Sequence, residues 1–373
     1  MPHKSSPRPL GQRLDPSAEG QRPIRVMIVD DSIVARSVFA RMLEGRAFEI
    51  VAAAPNAQQA IELLAIHKVD IILLDVEMPG MDGITALPRI LEASEGARVL
   101  IVSSACAEGA AATVKALTLG AADTLLKPGA GAFAGRFAEV LTDRLLRIGH
   151  APCAAQPPIP PAPTERTMER GPIECLAIGA STGGIHALSA FFKALPATFD
   201  APILVTQHLP AEFMPYFAAQ LRDLAGRKAT IATDGARLHP GELLIAPGDA
   251  HLRLIRFRDG IRARLDRAPA PSGCLPSVDP MFASVAEMFG SSAVGVVLSG
   301  MGRDGVIGAA DIVAAGGEIL AQDSGSSVVW GMPGAISAAG LCSIVLPPER
   351  IAQQIGRRTR GAVAIRAGSR SWK

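Results

Sequence analysis

"VDIILLDVEMPGMDG", residues 69–83, decides how the N-terminal half of this chain folds. The run "IILL" is short and wholly apolar, which suits a strand buried on both faces of a sheet. It stops at Asp75 and passes a turn marked by Pro79, Gly80 and Gly83. Apolar residues then recur at three- and four-residue spacing, the pattern of a helix lying on that sheet. The same unit recurs on either side. "IRVMIVD", "FEIVAAA", "ARVLIVSS" and "ADTLLK" are further strand candidates with helical stretches between them, so residues 24–148 are expected to form five strands and five helices around a parallel sheet.

The ends of those strands carry chemistry. Asp30 and Asp31 follow "RVMIV", Asp75 follows "VDIILL", Ser103 ends "ARVLIVSS" and Lys127 ends "ADTLLK". Side chains leaving the carboxyl ends of neighbouring parallel strands converge on one crevice. Carboxylates that converge repel one another and need a cation, and hard oxygen ligands with water positions to spare suit Mg²⁺. Singly, each Asp reads as the N-cap of the next helix. Taken in order, "IVDDS", "LLDVEMPGMDG", "VSS" and "LKP" resemble the receiver domain of two-component response regulators along its whole length. That resemblance implies a flavodoxin-like (βα)5 fold in which Asp75 accepts a phosphoryl group from a histidine kinase, Asp30, Asp31 and Asp75 hold Mg²⁺, and Ser103 and Lys127 contact the phosphate. One position departs from the pattern. Thr124 stands three places before the lysine, where receivers commonly carry an aromatic switch residue, and this argues against the usual ring-flip relay.

At 373 residues the chain exceeds a single domain of roughly 150 residues, so two cores are expected. Residues 149–172, "GHAPCAAQPPIPPAPTERTMERGP", break all periodicity, and "PPIPPAP" stays extended as a semi-stiff linker. Residues 1–23 read as a disordered tail and 362–373 as a short basic one. Hydrophobic residues at 49% describe a globular protein, while a net charge of +2 is too small to argue for nucleic acid or an anionic membrane as partner. There is no apolar run of bilayer-spanning length, so no membrane insertion is expected. The five cysteines, Cys106, Cys153, Cys175, Cys274 and Cys342, form no C-x-x-C pair and no metal-ligand cluster with a nearby histidine, which points to a reducing, cytoplasmic setting.

From residue 173 to about residue 361 a second alternation of strands and helices begins, expected to be a doubly wound, mostly parallel sheet with an antiparallel hairpin around Asp259-Gly260. "IGASTGGIHAL", residues 178–188, turns from strand into helix through a glycine-rich loop. Backbone N–H groups at such a loop bind phosphate readily, but it has neither the G-x-G-x-x-G spacing nor a following G-K-[ST] lysine. It does fit G-x-S-x-G, with Ser181 on a sharp turn, although that pattern is common by chance and from this loop alone a serine N-cap is the plainer reading. "ILVTQH" closes at His208, and "AVGVVLSGMGRDG" presents Asp304 after a third strand. A hydroxyl, an imidazole and a carboxylate at three strand ends meet the logic of nucleophile, base and orienter, in a chain order different from that of α/β-hydrolases.

"IGASTGG", "QHLP", "IAPGDAHL", "PSVDPMF", "LSGMGRDG" and "WGMPGAI" together resemble the catalytic domain of chemotaxis protein-glutamate methylesterases over residues 173–350. The resemblance implies Ser181 as nucleophile, His208 as general base and acid, Asp304 as its orienter and the backbone N–H of Met301 as oxyanion donor. Its implied substrate is a glutamate γ-methyl ester on the cytoplasmic helices of a methyl-accepting chemoreceptor, with deamidation of glutamine as a second activity and no metal needed for ester hydrolysis. Ser299 stands where the family often has Thr. The rival readings are a nucleotide-binding output module, resting on "GASTGG", and a DNA-binding one, which would need a basic helix-turn-helix after the linker.

Overall fold

The computed structural model describes residues 22–45, 47–103, 107–127, 134–149 and 171–358. The two expected tails and the linker lie outside these residues, except at their inner edges. One of those edges is a correction, because Gly149 closes a helix instead of opening the linker.

In the N-terminal half, β1 (Ile24–Val29), β2 (Phe48–Ala54), β3 (Ile71–Asp75), β4 (Arg98–Ser103) and β5 (Asp123–Leu126) form one sheet in the order β2-β1-β3-β4-β5. Every pairing is parallel. The crossovers are α1 (Ile33–Leu43), α2 (Ala57–Leu64), α3 (Gly83–Ala93) and α4 (Ala107–Leu119), and α5 (Ala134–Gly149) follows β5. All five residues of β3 are buried, as a strand covered on both faces requires. The helices start where their caps are. Ser32 accepts from the Ala35 N–H, Asn56 from Gln59, and Asp82 from both Ile84 and Thr85. Gly83 has no alternative, because a Cβ there would lie 2.1 Å from the Asp75 carbonyl oxygen and push α3 off the strand end.

The C-terminal half runs β6 (Cys175–Ala180), α6 (Gly184–Ala194), β7 (Ile203–Gln207), α7 (Met214–Ala225), β8 (Ala229–Ile231) and β9 (Leu243–Ile245). The antiparallel hairpin β10 (His251–Phe257) and β11 (Gly260–Asp266) comes next, then α8 (Val278–Phe289), β12 (Ala293–Val297), α9 (Val306–Ala314), β13 (Glu318–Gln322), α10 (Met332–Ala338), β14 (Ile344–Leu346) and α11 (Pro348–Gly356). Its main sheet has the order β14-β13-β12-β6-β7-β9-β8, and all its pairings are parallel. Strand β6 has β7 on one side and β12 on the other, so the chain winds outward in both directions from it. A crevice for ligands opens at the carboxyl ends of strands at such a point.

The two halves are packed together. Helix α4 lies against α6 and α7, and Val114 and Leu117 share one continuous cluster of buried apolar residues with Leu209, Phe213 and Phe217. Each large apolar side chain so buried contributes about 1.5–3 kcal/mol.

Candidate active site

Strand β6 ends at Ala180 and the chain turns at once. The Ser181 N–H donates to Ser299 O at 3.0 Å, and the Gly184 N–H returns to Ser181 O at 2.7 Å. Gly183 takes φ +75°, a conformation that L side chains rarely adopt, and its N–H donates to Ala122 O of the N-terminal half at 2.8 Å. Gly183, not Ser181, caps α6, and it does so without a side-chain bond. The serine hydroxyl is therefore not spent as a cap. With three of its N–H groups engaged, the loop is also a poor cradle for phosphate. From below, Gln207 Nε2 donates to Ser181 O at 2.9 Å. Ser299 Oγ donates to Thr182 O at 2.8 Å and accepts from the Val329 N–H at 3.0 Å, so the hydroxyl common to Ser and Thr is what this position uses.

His208 follows β7 directly, and its N–H donates to Ala180 O at 3.1 Å, next to Ser181. Its Nε2 lies 2.8 Å from Asp304 Oδ2. Asp304 is 1% exposed. Its Oδ1 accepts from Ser277 Oγ at 2.6 Å and its Oδ2 from the Val278 N–H at 2.7 Å. Gly305, not Asp304, caps α9. Burial opposes ionisation of Asp304, but His208, Ser277 and Val278 outweigh it and hold the carboxyl below its usual range. For His208, burial pulls the imidazole down, yet Asp304 and then Cys274 prevail and raise it to about 9. The ring is thus cationic at neutral pH in this arrangement. Among the described residues, Ser181 Oγ makes no hydrogen bond to it.

Met301 lies in the loop after β12, and its backbone N–H has no acceptor among the described residues. Its Sδ accepts from Arg147 Nη1 of α5 at 3.3 Å. Ser277, Val278 and Gln207 were not singled out by sequence, although "PSVDPMF" and "QHLP" contain them. Cys274 corrects one expectation. The sequence showed no cysteine beside a histidine, yet the fold brings together ligand atoms of His208, Cys274 and Asp304 within 4.8 Å of one another.

The strand ends of the N-terminal half bring three carboxylates and a lysine together. Ligand oxygens of Asp30, Asp31 and Asp75 lie within 4.8 Å of one another, an all-oxygen set that fits Mg²⁺. Lys127 Nζ is 2.7 Å from Asp75 Oδ2 and 3.2 Å from Asp30 Oδ2. Neither Asp30 nor Asp75 is a helix cap, those places being taken by Ser32 and Asp82. Burial raises the Asp75 carboxyl, Lys127 lowers it and Asp30 raises it again, with a net upward shift. Ser103 Oγ shares a 3.0 Å hydrogen bond with Thr113 of α4. Thr124 is buried, and its hydroxyl has no partner among the described residues.

A receiver-type phosphoryl site and a Ser/His/Asp crevice on one chain define a response regulator with a hydrolase output domain. Family profiles match both halves, the response regulator receiver domain over residues 26–132 and the CheB methylesterase over 176–355. A protein-glutamate methylesterase/protein-glutamine glutaminase 2 of Caulobacter vibrioides is 42% identical over 344 residues, covering 90% of this chain and 99% of that one. A counterpart in Paramagnetospirillum magneticum is 38% identical over 372 residues, covering 92% and 98%. The crystal structure of the Thermotoga maritima CheB methylesterase catalytic domain is 34% identical, covers 50% of this chain and 98% of its own, and has a TM-score of 0.48. The chain belongs to the CheB methylesterase family. Its output domain is a methylesterase, not a nucleotide-binding or DNA-binding module.

Proposed function

We propose that this enzyme hydrolyses glutamate γ-methyl esters on the cytoplasmic helices of methyl-accepting chemoreceptors, and deamidates glutamine there, through Ser181, His208 and Asp304. The observation that carries the reading is the 2.8 Å contact between His208 and the doubly hydrogen-bonded Asp304, beside the Ser181 turn. Ser181 Oγ attacks the ester carbonyl and passes its proton to His208. The oxyanion forms against the Met301 N–H, a kind of donor worth on the order of 3 kcal/mol. His208 returns the proton to the departing methoxide, and water then hydrolyses the acyl-serine with His208 again as base. In deamidation the same cycle releases ammonia. The test is methanol release from a methylated receptor, which Ser181→Ala should abolish; equal rates would refute the assignment.

The receiver regulates this site, in our reading, by holding its parts. Thr182 Oγ1 donates to Asp123 Oδ2 at 3.1 Å, the Gly183 N–H reaches Ala122, and Arg147 holds the Met301 side chain. The nucleophile turn and the oxyanion loop are both gripped from β5 and α5, and α4 packs on α6, the helix that follows the nucleophile turn. Asp75 would accept the phosphoryl group from a chemotaxis-type histidine kinase. Asp30, Asp31 and Asp75 would hold Mg²⁺, which when bound offsets the phosphoryl charge. Lys127 and Ser103 would then turn toward the phosphate, and β5, which carries Asp123, ends beside Lys127. Phosphorylation thus shifts the population toward an undocked, active form. No helix among the described residues is long and apolar enough to cross a membrane, and a cytoplasmic location suits this substrate.

A further inference from the structure

We infer that His208, Cys274 and Asp304 form a binding site for a thiophilic divalent cation, Zn²⁺ in the first instance, whose occupation stops ester hydrolysis. The inhibitory part rests on His208 being the base. An imidazole nitrogen, a thiol and a carboxylate offer ligand atoms within 4.8 Å of one another, the nitrogen, sulfur and oxygen mixture that zinc takes. Asp304 is already oriented by Ser277 and Val278, the kind of outer support that metal-binding carboxylates carry. Cys274 is free, is partly exposed, and among the described residues its thiol makes outside the cluster only a 3.9 Å contact to Ser272 O. Three protein ligands leave one position for water. Ester hydrolysis as derived above has no use for a thiol here.

The two metal-capable clusters among the described residues are chemically distinct. The receiver's three carboxylates are hard and suit Mg²⁺, whereas the sulfur and nitrogen of the second cluster select zinc against it. On binding, the thiol and the protonated imidazole each give a proton to solvent, and the metal takes the imidazole lone pair that must otherwise receive the Ser181 proton. The nucleophile is left without a base, with no change required in the receiver.

The experiment uses the full chain with Mg²⁺ present. Zinc binding is followed by calorimetry, Cd²⁺ binding by thiolate-to-metal charge-transfer absorption, and methanol release in parallel. Each protein's rate is scaled to its own zinc-free value. Wild type is expected to lose activity on adding Zn²⁺ and regain it with a zinc-selective chelator. Cys274→Ser and Cys274→Ala should need at least about tenfold more Zn²⁺ for the same loss and lack the charge-transfer band, while Cys342→Ala should behave as wild type. Cys274 variants that bind and are inhibited like wild type would overturn the site. Zinc binding that depends on Cys274 but leaves the wild-type rate untouched would overturn the inhibition and, with it, His208 as base, while leaving the site standing.

Discussion

Asp75 and Asp304 are both buried carboxylates at the carboxyl side of parallel strands, and each faces a basic group, Lys127 at 2.7 Å and His208 at 2.8 Å. Yet their carboxyls move in opposite directions. Asp75 is raised, because burial and the neighbouring Asp30 outweigh Lys127 and the Glu77 N–H. Asp304 is lowered, because His208, Ser277 and Val278 all donate to it. The difference matches the work proposed for each. A carboxylate with a raised pKa and fewer donors is a better nucleophile toward phosphorus, while one held by three donors is a rigid mount for an imidazole. The fold supplies the place twice, and the number of donors around each acid decides its use.

The comparison breaks most visibly at the nucleophile. Ser181→Ala should lower kcat by about 10⁶-fold while phosphoryl uptake at Asp75 is unchanged, measured by methanol release and by acid-labile phosphate. Loss of phosphorylation in this variant would mean that the sites are not chemically separate. Asp304→Asn should cost about 10⁴-fold in kcat, because the amide cannot hold the same imidazole tautomer. A drop of less than tenfold would leave Asp304 a structural acid.

The strand ends were legible in sequence because each short apolar run stops at a polar residue, and parallel topology alone gathers such residues. Ser181, His208 and Asp304 follow β6, β7 and β12, which are neighbours in the sheet. The competing reading of the receiver aspartates and Ser181 as helix caps could be decided only by seeing the caps, which are Ser32, Asp82 and Gly183. Cys274, Ser277 and Val278 were not legible. They sit at or just before the start of α8, and only three-dimensional packing carries them to Asp304, with no local spacing to announce it. The grip of Asp123 on Thr182 likewise depends on how the two halves meet, to which neither half's own pattern refers.

That grip offers a finer test. Asp123→Ala removes one hydrogen bond across the interface, worth about 1 kcal/mol, so the unphosphorylated rate should rise roughly fivefold, with the fully phosphorylated rate little changed. An unchanged basal rate would remove Asp123 from the latch. The smallest effect concerns pH. Only neutral His208 can accept the Ser181 proton, and its pKa is raised to about 9, so in metal-free buffer the kcat/KM of the unphosphorylated chain should climb with pH up to that value. Cys274 is one of the causes that raise it, so Cys274→Ala should move this limb to lower pH. A limb that stays put would show that the thiol does not act on the base.

In our reading the receiver's acid controls the serine's access to substrate. Its most direct test is methanol release by the full chain with and without a small-molecule phosphodonor, for wild type and Asp75→Asn. A marked rise in rate is expected for wild type and none for Asp75→Asn. A wild-type rate that ignores the phosphodonor, or an equal rise in Asp75→Asn, would contradict it.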